Sequence, residues 1–317
     1  MASTITVAGS VNFAMAFAGY RQLAAGNNSE PVVTAANMIM QTIISPPFTW
    51  NWNRSSVSFL TTIGVQDYAT SVATFGYIEK ASLVPAASIT NTVLLNDVAT
   101  YTAANSFAAG DIVTVTGTTN GTGVFNVTSQ TVVSANATTF TVAITSGNVS
   151  TMADTGTAID TGNSTQGYTA ELSQVMNVLG AGTEAGQPAI IAPQIDNNAG
   201  SITFRLLPVP SQVYQVTVVF QKKIPALISA TSTTWAPIPD QCSYIYQYGF
   251  TALMLAYAGD SRWPQFSQKF VASLLGMAQG LTEDQRNIFQ AGWLAMVTET
   301  QSTGMKTQQG VQSRGSL

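Results

Sequence analysis

Histidine is absent from this 317-residue sequence, and cysteine occurs once, at Cys242. The first absence removes Ser-His-Asp and Cys-His catalysis and every His-ligated metal. The second removes an internal disulfide and any cysteine-based zinc or iron–sulfur centre. Charge is also scarce. With 11 Lys and Arg and 15 Asp and Glu, only 8% of the chain is charged, where a soluble domain carries about 25%. The net charge of −4 argues against general nucleic-acid binding through counterion release. There is no run of 18 or more apolar residues, so no membrane-spanning helix is expected. Residues 7–19 are apolar, but no Lys or Arg precedes Arg21, so no signal peptide is expected.

What replaces the ions is hydroxyl. Ser and Thr supply 70 of the 317 residues. Sequons such as Asn126-Val127-Thr128 follow from that abundance and read as strand polarity. At 45% apolar residues, the chain can bury a large core, and its length predicts roughly two domains. A surface with few ions is weakly protected against self-association, so parts of it are expected to meet other protein.

Charge also divides the chain. Lys80 and Arg205 are consecutive basic residues, and the 124 positions between them hold none. Within that interval, residues 88–165 are rich in Thr, Val, Asn, Ala and Gly and read as a separate β module. Ile112, Val113 and Val115 form one strand, and Phe140, Val142 and Ile144 alternate with Thr139, Thr141 and Ala143. Period-two alternation puts one face in a core. Asn120-Gly121 reads as a hairpin turn.

The flanks differ. Val32, Ala35, Ala36, Ile39 and Ile43 predict a helix over 31–44, stopped by Ser45-Pro46-Pro47. Residues 57–60 and 75–83 read as strands. Ile202, Phe204 and Leu206, then Tyr214, Val216, Val218 and Phe220, read as a hairpin turned by Pro208-Val209-Pro210. Three helices are expected in the last third. Asp240 caps the first, and Ser261 starts the second. The third opens with the capping box Thr282-Glu283-Asp284-Gln285 and carries Ile288, Phe289, Trp293, Met296 and Val297 inward. Residues 303–317 lack apolar periodicity and read as an extended tail. The expected fold class is α+β: antiparallel strands plus a C-terminal helical bundle, with an inserted all-β sandwich or barrel. The expected division is a discontinuous core of 1–87 with 166–302, the insert 88–165 and the tail 303–317.

No sequence motif selects a reaction, and no catalytic, cofactor or metal residue is assigned. There is no phosphate loop and no nucleophile elbow. Gly180 to Gly186 has the wrong spacing for a dinucleotide loop. Glu283 and Asp284 complement a helix dipole rather than forming a catalytic pair. Asp196-Asn197-Asn198 reads as a turn, not a calcium loop. Cys242 reads as a small buried residue, against the alternative of a thiol activated at a helix start. Trp50 and Trp52, beside Asn51, Asn53 and Arg54, fit either core anchors or a stacking surface for a sugar or base. Core anchoring is the preferred reading.

Taken together, several segments resemble head–tail connector (adaptor, or neck) proteins of tailed bacteriophages. They are the helix running into Pro46-Pro47-Phe48-Thr49-Trp50-Asn51-Trp52-Asn53, Gly64-Val65-Gln66-Asp67-Tyr68, and Phe75-Gly76-Tyr77-Ile78-Glu79. Pro237-Ile238-Pro239-Asp240 and Tyr257-Ala258-Gly259-Asp260-Ser261-Arg262 complete the set. The module at 88–165 is similar to immunoglobulin-like or decoration-like modules of phage structural proteins. The resemblance implies a non-enzymatic virion protein at the neck, made in the host cytoplasm. It implies a homo-oligomeric ring, commonly of twelve copies, below the portal and above the next neck or tail protein. DNA would pass through without specific binding. It implies partner contacts near Trp50, Trp52 and Arg54, and in the tail at Lys306 and Arg314. The alternatives are a tail-tube, tail-terminator or capsid-decoration protein and, more remotely, a carbohydrate-binding or carbohydrate-degrading phage protein.

Overall fold

The structure is a computed structural model and describes residues 3–18, 32–163, 165–169, 184–196, 201–223, 234–278 and 280–312. It mixes helices with antiparallel sheet, as the α+β expectation has it. The chain forms two compact units, Met1–Arg54 with Gln221–Leu317, and Ser55–Phe220. The first is helical and the second is β. This border differs from the 1–87/166–302 division read from composition, because the flanking strands share a unit with the 88–165 segment.

The helical unit contains α1 (Val7–Ala18), α2 (Val32–Ile44), α3 (Ser243–Tyr257), α4 (Trp263–Met277) and α5 (Glu283–Gln312). Helix α3 is central and packs against the other four. Ile245, Tyr246, Phe250, Leu253 and Leu255 are all buried, as expected of a helix surrounded by others. Helix α1 has no counterpart among the expected elements. Its Val7, Val11 and Ala14 are buried, but no acidic first turn or basic last turn marks its ends.

Asp240 does not cap α3. It opens a short 3₁₀ turn, Asp240–Cys242, with no side-chain capping bond. Its carboxylate instead accepts from the Ser3 hydroxyl at 2.6 Å and from the Thr4 amide at 3.0 Å. Helix α5 begins where expected, with the Thr282 amide donating to Gln285 Oε1 at 3.0 Å and the Gln285 amide to Thr282 Oγ1 at 3.2 Å. It continues to Gln312, so residues 303–312 are helical and not extended. Once a helix is nucleated each added residue gains a bond, and no proline intervenes; Gly304 and Gly310 cost about 1 kcal/mol each without ending it.

The β unit is organised by one long strand. Strands β1 (Arg54–Leu60) and β2 (Asp67–Thr70) precede β3 (Phe75–Leu95). There follow β4 (Val98–Thr102), β5 (Ile112–Thr116), β6 (Val127–Ala135), β7 (Thr139–Ala143), β8 (Val149–Asp160) and β9 (Thr165–Thr169). Then come β10 (Ala185–Gly186), β11 (Ile190–Asp196), β12 (Ile202–Leu207), β13 (Val209–Pro210) and β14 (Tyr214–Lys222). The first part of β3 lies in a sheet of order β2-β12-β11-β9-β3-β14-β1. The second part closes an antiparallel six-stranded barrel, β3-β4-β7-β6-β5-β8 and back to β3.

Each part has its own core. In the barrel, Tyr101 stacks on Phe140 at 4.7 Å, and its hydroxyl donates to the Phe125 carbonyl at 2.8 Å. In the sheet, Phe204 meets Phe59 and Phe75 at ring separations of 6.0 and 5.7 Å.

Two expectations fail here. Strands β12 and β14 do not form a hairpin: β12 pairs with β11 and β2, and β14 with β1 and β3. Their inward residues Phe204, Leu206, Val216 and Val218 meet within one core. Alternation fixes which face is buried but not which strand is the neighbour. Asn120-Gly121 is likewise not a two-residue hairpin turn. It sits in the 3₁₀ turn Asn120–Gly123 within the β5–β6 connection. The Asp154 carboxylate holds that turn, accepting from the Thr119 amide at 2.9 Å and the Asn120 amide at 3.2 Å. The tight hairpin is Asn96-Asp97, with φ of 51° and 62°, between the paired Leu95 and Val98.

Candidate assembly surface

Helix α5 is attached to its unit along one stripe. Trp293 is buried, donates its indole N–H to Ser267 Oγ at 2.7 Å, and lies 4.3 Å from the Phe270 ring. Phe289 meets Phe48 edge-on at 4.9 Å, and Val297 is buried. These positions recur at every fourth residue and define the inward face.

Ile288, expected on that face, is instead 73% exposed, as Leu294 is at 55%. The helical rotation of about 100° per residue turns Ile288 away from Phe289. With exposed Ala291 and Ala295 between them, Ile288 and Leu294 bound a second apolar face, about 120° wide, that looks to solvent. Residues 287–298 contain no charge. The angular positions of 289, 293 and 297 are the sequence signal that separates the two stripes.

On another side of α5 lies a cleft of about 390 Å³ between α2, α3 and α5. Met38, Leu253, Met254, Tyr257 and Met296 line it, with Glu299 as its one charged residue. Methionine is a pliable lining suited to receiving apolar groups.

The sequence-predicted contact residues are not gathered here. Trp50 is 5% exposed. Its indole N–H donates to the Ile43 carbonyl at 2.6 Å, and its ring stacks on Trp52 at 5.7 Å. It is a core residue, which removes it both as a partner contact and as a sugar platform. Trp52 is half-buried against the same core. Arg54 is exposed at the start of β1. Lys306 falls within the α5 backbone, and Arg314 lies outside the described residues.

Chemistry is sparse. Cys242 is buried, and burial pushes its thiol pKa up rather than down, against the activated-thiol alternative. Asp260 is held at a pKa of about 2 by the Arg262 guanidinium, which it grips through two bonds of 3.0 and 2.7 Å. Asp67 grips Arg205 in the same way, both bonds being 2.7 Å. Among the described residues no group of three His, Cys, Asp or Glu side chains could hold a metal ion. No helix among them is long and apolar enough to cross a membrane. Gly180 to Thr183 and Asn197-Asn198 lie outside the described residues.

No curated protein matches the sequence. A family model, the SU10 adaptor protein, matches residues 83–293, two thirds of the chain, spanning the barrel, strands β9 to β14 and helices α3, α4 and the first part of α5. That match is the decisive finding: the chain belongs to the SU10 adaptor protein family and is a phage structural adaptor.

Proposed function

We propose that this adaptor is a non-enzymatic component of the neck of a tailed phage. Copies form a ring, commonly of twelve in such connectors, below the portal and above the next neck or tail protein. The observation that carries this reading is the family match over residues 83–293. Two features support it. The exposed Ile288–Leu294 stripe suits a permanent protein interface, whose centre is depleted of charge. The net charge of −4 and the 124 consecutive positions without a basic residue suit a channel through which DNA slides without being held. The C-terminal segment 303–317, with Lys306 within α5 and Arg314 beyond it, is assigned to contact with an adjoining ring.

Within the β unit, residues 88–165 are proposed to be an inserted module. Support comes from its own core and from Ala87 and Ala158, which pair directly where the chain enters and leaves the barrel.

Electron microscopy of purified particles carrying a tag on the subunit tests the assignment. A ring of label at the head–tail junction is expected. Particles that lack the protein would refute it.

A further inference from the structure

We propose that the β unit carries a binding site for one neutral sugar ring, in the notch where the outer face of the sheet meets the outer wall of the barrel. The inference goes beyond the adaptor reading and does not depend on it.

The notch follows from the path of β3. At Ala86 that strand pairs with Ile159 of β8, and its amide donates to the Val213 carbonyl, just before β14, at 3.1 Å. Sheet and barrel therefore meet at this point. Side chains alternate along each strand. Val216 and Phe59 belong to the core of the sheet, so Gln215, Ser58 and Leu60 look the other way. Ala158 and Val115 belong to the core of the barrel, so Thr157, Ile159 and Thr116 look outward, with Thr116 paired directly to Thr157. These six residues line a concavity of about 310 Å³.

Three properties of the lining select the ligand. The first is size. Small-molecule sites begin at about 300 Å³, and a cavity of about 150 Å³ holds benzene. A volume of 310 Å³ thus takes one six-membered ring with its substituents. The second is charge. None of the lining residues is charged, so an ionic ligand would give up its hydration with no opposite charge to replace it. The third is polarity. Gln215 Oε1 is buried and has no hydrogen-bond partner among the described residues. An unmet buried acceptor is costly, and a ligand O–H removes that cost.

Ser58, Thr116 and Thr157 add hydroxyls, which both donate and accept, while Leu60 and Ile159 add apolar surface. A pyranose is divided in the same way, with hydroxyls around its edge and C–H groups on its faces. A wholly apolar ring would leave Gln215 unmet. A simple amide can donate to Gln215 but has too few polar groups to reach hydroxyls on three separate strands. Because the six residues come from β1, β5, β8 and β14, the site is held by sheet and not by loops, which favours a fixed geometry.

Saturation-transfer difference NMR on the full-length protein tests this and works whatever the size of the assembly. The probes are the methyl pyranosides of glucose, galactose, mannose and N-acetylglucosamine, with acetamide as the comparison. Saturable transfer to the ring C–H protons of at least one pyranoside is expected, with an affinity in the millimolar range for a ligand this small. Gln215→Leu is expected to weaken that affinity about tenfold, and Thr157→Val several-fold, each with unchanged circular dichroism.

No transfer to any of the four pyranosides at decimolar concentration would overturn the proposal and leave the notch a hydration site only. Transfer to acetamide but to no pyranoside would overturn the sugar assignment in favour of an amide. Equal affinity in the native protein and in folded Gln215→Leu would put the sugar elsewhere, which also overturns it. If Gln215→Leu does not fold, Thr157→Val decides, and unchanged affinity there has the same meaning. All of these outcomes leave the neck assignment standing.

Discussion

Ser3 donates its hydroxyl to the Asp240 carboxylate at 2.6 Å, joining positions 237 residues apart. The Thr4 hydroxyl adds a bond of 2.7 Å. The Ser3 and Thr4 hydroxyls, reinforced by the Thr4 and Ile5 amides, pull the Asp240 pKa down from 3.8 to about 2 against a smaller desolvation cost. A depressed folded pKa means the clamp is present above the unfolded value and is lost as pH falls from about 4 to about 2. Asp240→Ala is therefore expected to speed amide exchange at Thr4 and Ile5 at neutral pH. The native protein should reach the same rate near pH 2 after correction for intrinsic exchange. Unchanged protection in the variant would show that the clamp is redundant.

Gly249 on α3 lies directly against side chains of α2 and α4. A β-carbon there would meet the Phe270 ring at 2.7 and 2.8 Å and Ile39 Cδ1 at 2.9 Å. Gly249→Val should destabilise the protein by about 1–3 kcal/mol through overpacking, read as a lower denaturation midpoint. A β-carbon at Gly292 would meet nothing within 4 Å, so Gly292→Ala should stabilise by about 0.5–1 kcal/mol through helix propensity. Equal shifts in the two variants would contradict the close-packing argument.

Asp154 is 7% exposed and accepts from the Thr119, Asn120 and Thr155 amides and from the Thr92 hydroxyl. Burial alone would raise its pKa, but these donors outweigh burial and lower it. Its contribution is therefore present above the ordinary carboxylate range and fades as pH falls through the depressed folded value. Asp154→Ala strands buried donors and should cost about 1–3 kcal/mol. The loss should be largest at neutral pH and narrow in acid, in urea titrations at several pH values. A pH-independent loss would mean that the carboxylate charge contributes nothing.

Ala87 and Ala158 pair directly on β3 and β8. Replacing residues 88–157 with Asn-Gly should convert the two strands into a tight hairpin. The shortened protein is expected to keep its helical circular dichroism and to unfold cooperatively. An insoluble product would show that the barrel is required for the rest of the chain to fold.

Much of this architecture is legible in local pattern. Helix α2 starts one residue from its expected position because its apolar spacing and the Ser45-Pro46-Pro47 stop agree. The capping box of α5 forms as written, and β5 and β7 bury the alternate residues. Where pattern and structure part, longer-range geometry decides. Pro85 argues for a strand that ends at Leu83, yet β3 runs to Leu95, passing Pro85 between its two sets of partners. Residue type alone puts Ile288 in the core and so hides the exposed apolar face of α5. Its rotation about the helix axis, not its hydrophobicity, decides that it is exposed.

Strand β3 contributes Phe75, Ala81 and Leu83 to one core and Ala87, Ile89 and Leu94 to another, with no loop between them to absorb an error. Because successive side chains alternate sides, adding or removing one residue near Pro85 would reverse the positions up to Ile89, beyond which the β3–β8 pairing shifts register. Between Leu83 and Ile89 the residue count sets the facing of two cores at once, and a one-codon indel there should be far less tolerated in the gene than one in a surface loop.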